Sequence, residues 1–114
     1  MDKDQKRRLM ATIEEKLAAA EADIVSFKAL TEPIAPDNAI GRLTRMEAIG
    51  SKSINEAALS KARVRQSRLE RALVKIDDPD FGLCRECEEP IPFSRLMVLP
   101  ETDLCIACAE NLSQ

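Results

Sequence analysis

The sequence predicts a mainly α fold, in which a long antiparallel helical hairpin (a coiled coil) precedes a small C-terminal four-Cys zinc-finger module. Three observations carry that expectation. The 114 residues include no Trp, no Tyr and only three Phe, too few aromatics for a large globular core. Ala, Leu, Glu, Lys and Arg dominate the first two-thirds, the composition of long helices. All four cysteines lie in the last third, as two Cys-x-x-Cys pairs. The expected division is a hairpin over residues 1–76 with its tip at 32–39, and a zinc-finger module over 77–114.

The first helix is expected from about Asp2 to Thr31. Met10, Ile13, Leu17, Ala20, Ile24 and Phe27 recur at spacings of three and four, one apolar seam. Pro33 stops the helix, because the residue before a proline is driven out of helical geometry. Asp37 then stands where an N-cap belongs, ready to accept from the free amides of a second helix. That helix is expected from about Asn38 to Ile76, with Leu43, Met46, Gly50, Ile54, Ala58, Ala62, Leu69, Leu73 and Ile76 on its inner face. Two long helices joined by a short turn are antiparallel neighbours. Pairing about residue 34 makes the first helix run out opposite residue 68. Leu69, Leu73 and Ile76 are then left for the cysteine module to cover. Within that module, Phe93 to Leu99 reads as a short strand and Ile106 to Leu112 as a last helical turn or two.

Cys84-x-x-Cys87, seventeen residues, then Cys105-x-x-Cys108 is the spacing of a structural zinc site. Each pair supplies two thiolates, and together they close a tetrahedron with no position left for water. Two disulfides, or iron in place of zinc, are the alternatives. The chain has no histidine, which removes a His-ligated catalytic zinc. No catalytic constellation is present, and a non-enzymatic protein is expected.

Charge divides the chain. Residues 1–76 carry 15 basic and 11 acidic side chains, whereas residues 77–114 carry 2 basic and 9 acidic. An acidic finger is a poor reader of DNA, because phosphate contact needs Lys and Arg. Lys61, Arg63, Arg65, Arg68, Arg71 and Lys75 form a basic run near the end of the second helix. Within it Lys61, Arg65 and Arg68 are candidate contacts to phosphate or to an acidic protein surface. A solvated helical face is the plainer account of the same residues. At the tip, Asp37, Asn38 and Ala39 present a carboxylate that serves as an N-cap, as a partner contact, or as both. No apolar run approaches the ~18 residues that cross a bilayer, so a cytoplasmic, membrane-free protein is expected.

Asp80-Phe81-Gly82-x-Cys84-x-x-Cys87, followed by Ile91-Pro92, Arg95-Leu96, Pro100 and Cys105-x-x-Cys108, resembles the zinc-finger signature of the DksA/TraR family. The resemblance is specific over residues 80–108 and extends by architecture over residues 1–76. It implies a monomeric bacterial transcription regulator that binds RNA polymerase directly rather than DNA. The coiled-coil tip of such a protein enters the secondary channel and alters the stability of promoter complexes. The tip motif of the family is Asp-x-x-Asp-x-Ala; Asp37 and Ala39 match its second Asp and its Ala, and Ile34 replaces the first Asp. The family often acts with guanosine tetraphosphate. Lys61 and Arg68 fall at its basic positions in the second helix, while Leu99 and Ala109 occupy its basic positions near the second knuckle, which implies weak or absent alarmone binding. Two rival functions stand beside this one: a zinc-ribbon nucleic-acid binder using the Lys61–Lys75 run, and a structural coiled-coil adaptor that dimerises through its seam.

Overall fold

The computed structural model describes the backbone of residues 1–31 and 42–112, and the side chains of 1–31 and 50–112. Among the described residues there are four helices: α1 (Lys3–Leu30), α2 (Arg42–Lys75), α3 (Phe93–Val98) and α4 (Ile106–Leu112). No helix among the described residues is long and apolar enough to cross a membrane. The tip residues Asp37, Asn38 and Ala39, and the N-cap role expected of Asp37, lie outside the described residues.

α1 begins with a reciprocal cap. The Gln5 amide donates to Asp2 Oδ1 at 2.7 Å, and the Asp2 amide donates to Gln5 Oε1 at 3.2 Å. Two otherwise orphaned donors are satisfied in this way. At the other end, Thr31 donates through its amide and its hydroxyl to the Lys28 carbonyl. α2 closes in successive turns, Asp78 N–H to Lys75 O and Phe81 N–H to Asp78 O.

The chain forms two compact units, one of residues 1–17 with 67–114 and one of residues 18–66. The first unit brings the start of α1 together with the end of α2, the antiparallel order expected. Its core contains Leu9, Ile13, Leu69, Ala72, Ile76, Cys84, Ile91, Leu96 and Pro100. In the second unit the described buried hydrophobic residues are Ala20 and Leu59.

Three details differ from the sequence expectation. Met10 is 39% exposed while Leu9 is fully buried, so the α1 seam runs through Leu9 to Ile13. Both choices keep a spacing of three or four, and the burial decides between them. On α2, Ile54 is 72% exposed, and the inner face follows Asn55, Leu59, Ala62, Gln66 and Leu69 at unbroken helical spacing. Gln66, a polar residue, fills the slot that the apolar pattern skipped. Arg65 is exposed. Finally, residues 93–98 are helical. Pro92 caps α3 with its fixed φ, its carbonyl accepting from the Arg95 and Leu96 amides. Phe93, Leu96 and Met97 then bury one side at i, i+3 and i+4, the helical spacing. α4 forms where a last helical turn or two was expected.

The end of α2 is covered from two sides. Leu69 and Ile76 are buried and Leu73 is half-buried. Lys6 Nζ reaches Asp77 Oδ1 at 3.7 Å, so α1 accompanies α2 past residue 68 and shares that cover with the finger. α1 also grips the finger directly: Arg8 lies over the Phe93 ring at 5.4 Å, and the Thr12 hydroxyl faces Met97 Sδ at 3.8 Å.

Candidate metal centre

The first knuckle is a tight hairpin. Leu83 and Pro90 pair as an antiparallel bridge, and the Cys84 amide donates to the Glu89 carbonyl at 2.9 Å. The Ile91 amide donates to Gly82 O at 2.7 Å and the Glu88 amide to Cys84 O at 2.9 Å. Gly82 has φ +90° and Glu88 φ +63°, the two left-handed residues that bend the chain back. An added Cβ on Gly82 would meet Leu96 at an ordinary 3.7 Å, so the dihedral rather than space asks for glycine. In the second knuckle the Cys108 amide points at Cys105 Sγ at 3.5 Å, and the Ala109 amide continues the turn onto Cys105 O.

These two turns bring the four Sγ atoms of Cys84, Cys87, Cys105 and Cys108 within 4.8 Å of one another. Cys87 Sγ and Cys105 Sγ are 3.8 Å apart. Four sulfurs at ~2.3 Å from a tetrahedral zinc are separated by about 3.8 Å, so the donor set fits the ion. A disulfide would need about 2.05 Å, and all four cysteines are unlinked.

The acidity of the cluster argues the same way. Backbone amides of Cys87 and then Cys105 lower the Cys84 thiol to about 6. Cys108 is pushed up to about 12, chiefly by Cys105, with Cys84 adding to it. Cys87 also rises: an amide at Glu89 is the largest single influence and lowers it, but burial together with Cys84 and Cys105 outweighs that amide. The first thiolate forms readily and the later ones are resisted by those already present. A divalent cation removes that resistance.

Beside the centre, the end of α2 and the finger loops enclose a groove of about 780 Å³. Arg68, Arg71 and Lys75 line it from α2, and Asp78, Asp80, Glu101 and Asp103 line it from the finger, with Leu99 and Pro100 between. Among the sequence candidates, Arg68 borders this groove, whereas Lys61 and Arg65 are exposed on the part of α2 that belongs to the second unit. The structure therefore gathers the four cysteines, and of the basic candidates Arg68 borders the groove. Sequence reasoning did not single out the acidic wall of the groove, because it becomes a wall only when the finger folds against α2.

Residues 79–114 match the family described as the prokaryotic dksA/traR C4-type zinc finger. The module is a DksA/TraR zinc finger. Its four cysteines hold one structural zinc ion, with every coordination position filled by protein. A relative from Escherichia coli K12, named RNA polymerase-binding transcription factor DksA, is 44% identical over 41 residues. That alignment covers 36% of this chain and 27% of the relative. A protein of the same name from Haemophilus influenzae is 42% identical over 48 residues, 42% of this chain and 33% of its own length. The chain thus spans about a third or less of the curated relatives it matches. The solved structure of transcription factor DksA2 from Pseudomonas aeruginosa superposes on 99% of this chain and 86% of its own, with a TM-score of 0.73 at 20% identity. The fold of the whole chain is therefore that of a DksA protein, and its finger carries the DksA/TraR sequence.

Proposed function

We propose that this protein is a non-enzymatic transcription regulator that binds RNA polymerase directly. The observation supporting it most is the conjunction of a DksA/TraR finger with a DksA fold over the whole chain length. In this reading the helical pair is the reach. Its tip, Asp37, Asn38 and Ala39, enters the secondary channel and modulates promoter-complex stability. The zinc finger braces the base of the hairpin, where α1 and α2 both pack against it. Lys61, Arg65 and Arg68, all exposed on α2, contact acidic polymerase surface near the channel entrance.

Guanosine tetraphosphate binds weakly or not at all in this reading. A polyphosphate meeting Arg68, Arg71 and Lys75 also faces four carboxylates across the groove, and Leu99 supplies no charge. The finger itself, with 2 basic and 9 acidic residues in 77–114, disfavours nucleic acid as the main partner.

Pulldown of the zinc-loaded chain with core RNA polymerase tests the reading. Binding at micromolar concentration, together with an effect on promoter-complex lifetime that is lost in a folded Asp37→Ala variant, is the expected result. Absence of polymerase binding overturns it. A salt-dependent shift of free DNA or RNA would point instead to a nucleic-acid binder, and a stable dimer in sedimentation to a coiled-coil adaptor.

A further inference from the structure

The finger has only two basic residues between 77 and 114, Arg85 and Arg95, and both act on the same short peptide. Arg85 follows the first zinc ligand directly. Its amide donates to the Asp103 carbonyl at 2.9 Å, and its exposed guanidinium lies 3.6 Å from the Asp103 carboxylate. Arg95 comes from α3, and its Nε donates to the Leu104 carbonyl at 3.0 Å in a half-buried setting. The Thr102 hydroxyl donates to that same carbonyl at 3.2 Å. Leu104 is the residue immediately before Cys105, so its carbonyl belongs to the peptide that carries the third sulfur ligand.

α3 is in turn held by α1. Phe93 takes the Arg8 cation on its ring, and Met97 meets Thr12, two residues before and two residues after Arg95. Leu96 between them is buried. A continuous set of contacts therefore runs from α1, through the six residues of α3, to the entry of the second knuckle.

We propose that Arg95 is a positioning residue of the zinc centre: from α3 it fixes the Leu104–Cys105 peptide, and so sets how long the ion is retained. The geometry carries the assignment. A hydrogen bond from a charged donor contributes more than a neutral one, and a peptide held on both sides of a ligand loses less freedom when the metal binds. The side chain of Arg85, more than half exposed, adds only a solvent-screened ion pair, while its backbone donor survives any substitution except proline.

The experiment uses the full zinc-loaded chain and follows zinc transfer to an excess of a chromogenic chelator. Arg95→Met keeps the packing of the stem and removes the donor; release is expected to quicken roughly tenfold or more. Arg95→Lys, which keeps a cation on a similar stem, should fall between Met and Arg. Arg85→Met should stay within about twofold of the parent. Ile91→Val is the control for general loosening, since it trims the buried finger core and leaves the Arg95 side chain, the donor to Leu104, unchanged. The cobalt-substituted chain gives a second readout, its ligand-field bands shifting in Arg95→Met and not in Ile91→Val. Parent-like release in both Arg95 variants overturns the proposal. So does acceleration in Ile91→Val equal to that in Arg95→Met, or an unchanged cobalt spectrum. If Arg95→Met fails to fold with metal present, parent-like release in Arg95→Lys alone overturns it.

Discussion

The Arg85 amide donates to the Asp103 carbonyl at 2.9 Å, joining the residue after the first zinc ligand to one two positions ahead of the third. The two knuckles are thus stitched by backbone as well as by metal. One such bond is worth about 1 kcal/mol, far less than a structural zinc, whose apparent contribution in small fingers is roughly 10–16 kcal/mol at neutral pH. The helices, in contrast, take their hydrogen bonds from within themselves. Chelation is therefore expected to release amide protection across residues 83–91 and 99–109 while leaving most of α1 protected. Hydrogen exchange with and without a chelator measures this. Equal protection in both states would show that the finger holds itself together without the ion.

The position of the α1 seam is testable by two neighbouring substitutions. Leu9 is fully buried and Met10 is 39% exposed. Leu9→Ala is expected to cost about 2–4 kcal/mol, and Met10→Ala less than about 1 kcal/mol. On α2, Leu59→Ala should destabilise and Ile54→Ala should do little, since Ile54 is 72% exposed. Denaturant unfolding of the zinc-loaded chain compares all four. A larger loss at Met10 than at Leu9 would restore the seam that sequence spacing alone suggested.

The two left-handed residues of the first knuckle predict substitutions of opposite sign. Gly82→Ala places a Cβ on a residue at φ +90° and should cost about 1–2 kcal/mol, although space for the methyl exists. Glu88 already carries that strain at φ +63°. Glu88→Gly should be neutral or stabilise by up to about 1 kcal/mol, the relief of strain being partly offset by the freedom glycine gains when unfolded. Thermal unfolding with zinc bound distinguishes the two.

Much of this was legible in the sequence, for identifiable reasons. The cysteine pairs state their own chemistry, because thiolate spacing and the absence of histidine leave few alternatives. α1 and α2 announce themselves through composition and proline punctuation. What escaped were features decided by packing between distant segments. Met10 and Leu9 are equivalent by period, and only tertiary packing in the first unit separates them. Gln66 is invisible to a search for apolar residues, yet it holds the register between Ala62 and Leu69. Phe93 to Val98 is too short a run to declare its period from sequence, and the burial of Phe93, Leu96 and Met97 on one side reveals the helix. The Arg95 bond to Leu104 has no local signature, since it links α3 to a loop nine residues on.

The thiol acidities fix how zinc binding depends on pH. In the metal-free cluster Cys87 lies above the ordinary thiol value and Cys108 is pushed up to about 12, so both are protonated at neutral pH. Cys84, lowered to about 6 by the amides of Cys87 and Cys105, is mostly thiolate there. The zinc-bound form carries no proton on any of these sulfurs. The metal-free form therefore binds more protons, and raising the pH favors the bound form. With at least two protons released, affinity should rise at least about 100-fold per pH unit between about 7 and 8. Below about 6, Cys84 takes up a proton as well and the dependence should steepen by a further factor of about ten per unit. Competition against a chelator of known proton linkage, repeated from pH 5.5 to 8, measures the slope. A slope near zero across neutral pH would mean that the thiols are already ionised before the ion arrives, contrary to the crowding of four sulfurs within 4.8 Å.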